Sequence, residues 1–224
     1  MSLTLADVDR DGALGHAMEG LYGSRADFLR RSVLGGAAFV GALALPASGA
    51  AATANDVDIL NYALVLEHLQ AAFYTETERI GSVAPKALQA TRVVGAVERA
   101  HVKALRKTLG SAAVARPTFN FQGTTEDTTP FLKTAVAFED LAVAAYKAQA
   151  TRIDSKAILA VAVSIHSVEA RHAAWMRRLF GIVPAARAFD EPRSRAEVSK
   201  IVASTHFVVS PGRTSRQGRP RFTG

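Results

Sequence analysis

Glu67-His-Leu-Gln-Ala-Ala-Phe-Tyr74 followed by Glu98-Arg-Ala-His101, and then Glu139-Asp-Leu-Ala-Val-Ala-Ala-Tyr146 followed by Glu169-Ala-Arg-His172, decide how this chain is read. A lone glutamate precedes a Glu-x-x-His by 31 positions in the first pass and by 30 in the second. Residues three apart on an α-helix share a face, so each Glu-x-x-His aims a carboxylate and an imidazole at one point. Two such pairs, with one glutamate from each of two further helices, supply the inward ligand set of a dinuclear carboxylate bundle.

The repeat extends past these six residues. Aligned on Glu67 and Glu139, the two stretches also share Leu69 with Leu141, Ala72 with Ala144, and Tyr74 with Tyr146. Each tyrosine lies seven residues, or two helical turns, beyond its glutamate and on the same face. The pattern predicts one helical hairpin used twice about a pseudo-two-fold axis.

Around these motifs the sequence predicts an all-α fold, a four-helix bundle with a long crossover between the second and third helices and a short C-terminal helix. Residues Asn55 to Ile80 contain no Gly or Pro and place Leu60, Leu64, Glu67, Ala71, Tyr74 and Glu78 on one face, with Asn55 as N-cap and Asp58 three residues on. A short link at Gly81–Pro85 makes the next helix, Lys86 to Leu109, an antiparallel neighbour. From Ser111 to Thr129 the periodicity fails, with Pro117, Gly123 and a run of Thr, Asn and Asp interrupted only by Phe119 and Phe121. A crossover along the bundle, with both phenylalanines on its surface, explains that length and starts the third helix at the same end as the second. The third helix is expected from about Pro130 to Thr151, the fourth from Asp154-Ser155 to Phe180, and a short fifth within Ser194 to Ser204.

The expected organisation is an export segment over 1–54, the bundle over 55–183, an extension over 184–209 and a disordered basic tail over 210–224. The 13-residue apolar run Val33–Leu45 is too short to span a bilayer. Arg30 and Arg31 precede it and small residues follow at Ser48–Ala54, as in a signal peptide. Ser24-Arg-Ala-Asp-Phe-Leu-Arg30 resembles the twin-arginine consensus with Ala26 in place of the second arginine. Export to the periplasm, cell envelope or exterior is therefore expected, with no stable membrane span after cleavage.

The chain has 224 residues, 49% of them hydrophobic, which is ample for one buried core. Its formal charge of +7 is spread over helical faces and the tail, so a solvated surface rather than a nucleic-acid site is expected. The absence of cysteine excludes disulfides, thiolate-bound iron–sulfur clusters and a rubredoxin-type iron centre. Electrons for any redox reaction then come from outside the chain or from substrate.

Apolar neighbours support the site. Glu98 and His101 sit among Val93, Val94, Val97, Val102 and Leu105, and Glu169 and His172 among Val161, Ile165, Val168, Trp175 and Met176. Charges on such faces are costly unless paired or metal-bound. The alternative is a metal-free bundle in which Arg92, Arg99 or Arg171 neutralises the glutamates. Tyr74 and Tyr146 are the candidate catalytic residues, placed to hydrogen-bond a carboxylate or relay an electron; the plainer role is a core tyrosine with a satisfied hydroxyl. His68 points about 100° away from Glu67, as a surface or packing residue. His166, one turn before Glu169, is a candidate outer neighbour of the site.

Over about residues 55 to 205 the chain resembles the ferritin-like superfamily, in particular exported bacterial ferritin-like proteins related to plant desiccation-associated proteins. All six positions match. The resemblance implies that Glu98 and Glu169 bridge two metals, that Glu67 and Glu139 are terminal ligands, and that His101 and His172 complete the set. It implies two iron ions, with manganese possible, acting on dioxygen or peroxide as a ferroxidase, oxidase or peroxidase. Iron storage or a stress-protective structural role are the alternatives, and a homodimer is a possible assembly. Position 142 is alanine where rubrerythrins carry a further glutamate, which counts against that branch.

Overall fold

The computed structural model describes residues 52–210. Four long helices, α1 (Ala54–Ile80), α2 (Pro85–Leu109), α3 (Thr128–Ala150) and α4 (Lys156–Phe180), are followed by α5 (Arg195–Ser204); β1 (Thr118–Phe119) and β2 (Val208–Ser210) form a small antiparallel pair. The all-α bundle expected from the repeat is the observed architecture, with α1 packed mainly on α2 and α3 mainly on α4.

The contacts at the two ends fix the helix directions. At one end the Ala84 N–H donates to the Thr128 hydroxyl, and the Ser82 hydroxyl donates to the Glu126 carbonyl, so α2 and α3 begin together. At the other end Asn61 donates to the Ala112 carbonyl and accepts from the Val114 N–H, joining the end of α2 to the first turns of α1. The segment between them therefore runs the length of the bundle, as expected.

Local chemistry sets the helix limits. Thr53, not Asn55, caps α1: its hydroxyl accepts from the Asp56 N–H and the Asp56 carboxylate accepts from the Thr53 N–H, a reciprocal capping box. Asp58 has no part in the cap; Asp56 fills that place and also accepts from the N–H groups of Asp154 and Ser155 at the start of α4. The Asn55 side chain instead donates to the Arg152 carbonyl and to Asp154. Gly81 closes α1 with φ 71°, the left-handed conformation in which a residue without Cβ is unstrained. Asp127 caps α3, Ser155 caps α4 and Ser194 caps α5.

The crossover departs from its expected form. Phe121 is buried in the core against Phe73 and Phe207, not spread on the surface, while Phe119 is half-buried and stacks on it. Residues Thr118–Phe119 pair with Val208–Ser210, tying the crossover to the end of the C-terminal extension. That extension covers α1 and α3: Val198 of α5 is buried among Leu66, Leu141 and Ala145, and the Arg195 guanidinium lies over the Tyr62 ring while pairing with Asp58. No helix among the described residues is long and apolar enough to cross a membrane. The apolar run Val33–Leu45 and the tail beyond Ser210 lie outside the described residues.

Candidate metal centre

Each of the four bundle helices contributes to one buried polar cluster. Glu67 comes from α1, Glu98 and His101 from α2, Glu139 from α3, and Glu169 and His172 from α4. All four carboxylates are 0% exposed and both imidazoles 6% exposed, so the histidines alone reach toward solvent. Both rings turn Nδ1 inward. His101 Nδ1 lies 3.3 Å from Glu67, 3.4 Å from Glu98 and 3.0 Å from Glu169. His172 Nδ1 lies 2.9 Å from Glu98, 3.6 Å from Glu139 and 4.0 Å from Glu169.

These atoms form two overlapping groups, Glu67–Glu98–His101–Glu169 and Glu98–Glu139–Glu169–His172, in each of which the donors lie within 4.8 Å of one another. Either group can hold a metal ion. Glu98 and Glu169 are common to both, the position a bridging carboxylate requires.

The inward atoms fit that use. Glu67 Oε2, both oxygens of Glu98, Glu139 Oε2, Glu169 Oε1 and the Nδ1 of both histidines are buried and make no hydrogen bond. Buried polar atoms are almost always partnered, and each orphan costs on the order of 1–3 kcal/mol, more when charged. An all-oxygen-and-imidazole set of such atoms converging on one point is what a hard or borderline cation satisfies. Arg92, Arg99 and Arg171 do not neutralise the cluster; all three are exposed, and Arg99 pairs instead with Glu78 and Thr75. Val93 and Trp175, read as apolar neighbours, lie on the outer side of their helices, 46% and 36% exposed.

The outer oxygens of the two lone glutamates are held by the tyrosines, and the pairing crosses the repeats. Tyr146 donates to Glu67 Oε1 at 2.6 Å, and Tyr74 donates to Glu139 Oε1. Burial raises both phenols well above their ordinary value, and the adjoining carboxylates push the same way, so each keeps its proton as a donor. Gln70 of α1 is 2% exposed and its amide lies 3.5 Å from Glu169 Oε2. It sits one turn beyond Glu67, with no counterpart at Ala142 in the second repeat to single it out in the sequence. His68 is a packing residue, 5% exposed with Nε2 unpartnered; burial pushes it down to about 4, helped by Arg106 and Arg116. His166 is half-buried and hydrogen-bonds to none of the six.

Without metal the cluster shares protons. Burial first, then the charges of Glu67 and Glu139, push Glu98 up to about 7, and burial with the neighbouring carboxylates holds Glu169 well above the usual range. Burial opposes protonation of His172, but the Glu139 and Glu98 carboxylates beside the ring outweigh it and raise it to about 10; His101 is raised likewise, chiefly by Glu67.

The helix spacing that allows this packing depends on Gly95. A Cβ there would lie 2.8 Å from Tyr74 Cβ and 2.9 Å from Glu78 Oε1. Glu78 can swing away; Tyr74 Cβ is fixed to the α1 backbone. Ala is the better helix former by about 1 kcal/mol, yet overpacking here costs about 1–3 kcal/mol. Gly95→Ala is therefore expected to lower the Tm by several degrees in thermal denaturation, whereas a raised Tm would show that α1 and α2 part without cost.

No curated protein matches the chain. The family model described as the ferritin-like domain matches residues 55–181, from the first turn of α1 to the residue that closes α4. With that match covering more than half of the sequence, and with the bundle and its buried Glu–His cluster in place, the chain belongs to the ferritin-like domain family.

Proposed function

We propose that this chain is an exported oxidoreductase built around a carboxylate-bridged dinuclear centre, iron by preference and manganese as the alternative, with dioxygen or peroxide as its oxidant. The observation that carries the proposal is the pair of donor groups sharing Glu98 and Glu169, whose inward atoms have no protein partner. Glu67, Glu98, His101 and Glu169 would hold one ion and Glu98, Glu139, Glu169 and His172 the other. Four carboxylates balance two divalent cations, and a ligand set of oxygen and imidazole without sulfur suits iron or manganese. Such a centre supplies one-electron changes at each of two adjacent ions for reduction of dioxygen or peroxide.

The residues around the ligands have definite tasks. Tyr74 and Tyr146 fix the outer oxygens of Glu139 and Glu67, which leaves one oxygen of each directed inward. Their protons stay on the phenols, within reach of a carboxylate, where a reaction could draw on them. Burial of all four carboxylates keeps water off the centre, and the two imidazoles, buried but 6% exposed, are the ligands nearest the surface, on the side from which a small oxidant would reach it. The apolar run Val33–Leu45 with its preceding arginines supports export.

Elemental analysis of the chain purified without added metal, beside a Glu98→Ala/Glu169→Ala variant, tests the reading. About two ions per wild-type chain are expected, as in other di-metal carboxylate bundles, with loss in the variant and proton release on reloading. Oxygen consumption on addition of ferrous iron then checks the reaction. A folded chain that takes up neither iron nor manganese on reconstitution would leave a structural bundle.

A further inference from the structure

The centre has a built-in asymmetry. Six ligands and two tyrosines obey the pseudo-two-fold repeat, but the residue one turn beyond the lone glutamate does not: it is Gln70 on α1 and Ala142 on α3. The Gln70 amide reaches only one bridging carboxylate, Glu169, and only its Oε2. The unpartnered atoms record the consequence. Both oxygens of Glu98 are free of hydrogen bonds, whereas Glu169 keeps only Oε1 free.

The distances carry the same asymmetry independently. His101 Nδ1 lies 3.0 and 3.4 Å from its two bridging oxygens, Glu169 Oε1 and Glu98 Oε2. His172 Nδ1 lies 2.9 Å from Glu98 Oε1 but 4.0 Å from Glu169 Oε2, the oxygen facing Gln70. Its terminal glutamate is also farther away, 3.6 Å against 3.3 Å on the other side.

We infer that Gln70 is a positioning residue that makes the two metal positions unequal. By holding Glu169 Oε2, it leaves the His101 position (Glu67, Glu98, Glu169, His101) with its full ligand set. The His172 position would share its fourth donor, Glu169 Oε2, with the Gln70 amide, whose N–H weakens that oxygen as a donor to a cation. The His101 position would fill first and more tightly, and the His172 position second. A hydrogen-bonding partner outside the ligand shell commonly changes metal affinity by about ten-fold or more, enough to separate two binding steps.

This inference rests on the dinuclear reading, and cobalt(II) titration of the metal-free full chain separates the two. The wild type is expected to bind cobalt in two steps at least about ten-fold apart, followed by visible absorption and calorimetry. Gln70→Leu keeps a comparable volume without the amide and should bring the steps together. His172→Ala should remove the weaker step, and His101→Ala the tighter one. A wild type that takes up one ion or none refutes the dinuclear reading itself. Two ions bound equally, or an unchanged separation in Gln70→Leu, overturns the role given to Gln70 alone. Should Gln70→Leu fail to fold, the histidine variants decide, because loss of the tighter step in His172→Ala would reverse the assigned order.

Discussion

At pH 8 the metal-free Glu98→Gln chain is expected to melt roughly 3–8 °C above the metal-free wild type, at about 2–4 °C per kcal/mol for a chain of this size, while losing metal uptake. Glu98 is 0% exposed with neither oxygen hydrogen-bonded, among three other buried carboxylates. Burial and the charges of Glu67 and Glu139 raise its pKa from 4.5 to about 7. The folded chain therefore binds a proton more tightly here than the unfolded chain does. Stability falls as pH rises from 4.5 through 7, and the penalty is complete above 7. A shift of that size corresponds to at most about 3 kcal/mol.

Glutamine keeps the shape and an oxygen toward His172 and removes the charge. At pH 5, where Glu98 is already protonated, the gain should shrink toward zero. His172 tilts the wild type in the same direction: its contribution, with the ring raised to about 10, is fully present below 6.5 and lost as pH rises through 10. Metal reverses the slope for the wild type alone, since a ligand bound only by the folded state adds stability with its concentration. Melting curves with and without chelator at pH 5 and pH 8 check this. A lowered Tm for metal-free Glu98→Gln at pH 8 would make Glu98 a paired structural carboxylate.

The ligand positions are legible in the sequence because a helix converts spacing into direction. A spacing of three positions from Glu98 to His101 puts both on one face, and the second copy at Glu169 and His172 shows what that face meets. Side-chain partners from another helix are a different matter. A seven-residue offset places Tyr74 on the face of Glu67, yet its hydroxyl serves Glu139, because what it reaches depends on how α3 lies against α1. Gln70 was visible one turn from Glu67, but its partner Glu169 is 99 residues away.

Short elements were hidden for related reasons. The strands at Thr118–Phe119 and Val208–Ser210 are too brief to show an alternating pattern, and each exists only because the other is beside it. Asn55 and Thr53 are comparable as caps from sequence; the choice fell to Thr53 because Asp56 completes its box and Asn55 is occupied across the bundle end.

The burial of Phe121, missed for want of periodicity, leads to the largest expected loss of stability. Phe73 is 0% exposed and forms the hub of an aromatic cluster, with its ring centroid 5.4 Å from Tyr74, 5.3 Å from Phe121, 5.3 Å from Phe131 and 5.2 Å from Phe138. Through Phe121 and Phe138 the cluster extends to Phe207, so one side chain joins α1, α3, the crossover and the segment before β2. Phe73→Ala removes that hub and leaves a cavity that rigid helices cannot close, at a cost of about 3–5 kcal/mol. The Tm should fall by roughly 6–20 °C at 2–4 °C per kcal/mol. Phe73→Leu, which refills most of the volume, should recover more than half of the loss. Because the same ring packs edge-on against Tyr74, Phe73→Ala should also loosen the hold on Glu139 and weaken metal binding, with Phe73→Leu restoring it in part. A metal affinity unchanged in a Phe73→Ala chain that has lost this stability would show that the ligands are fixed by the four helices alone, without the aromatic cluster beside them.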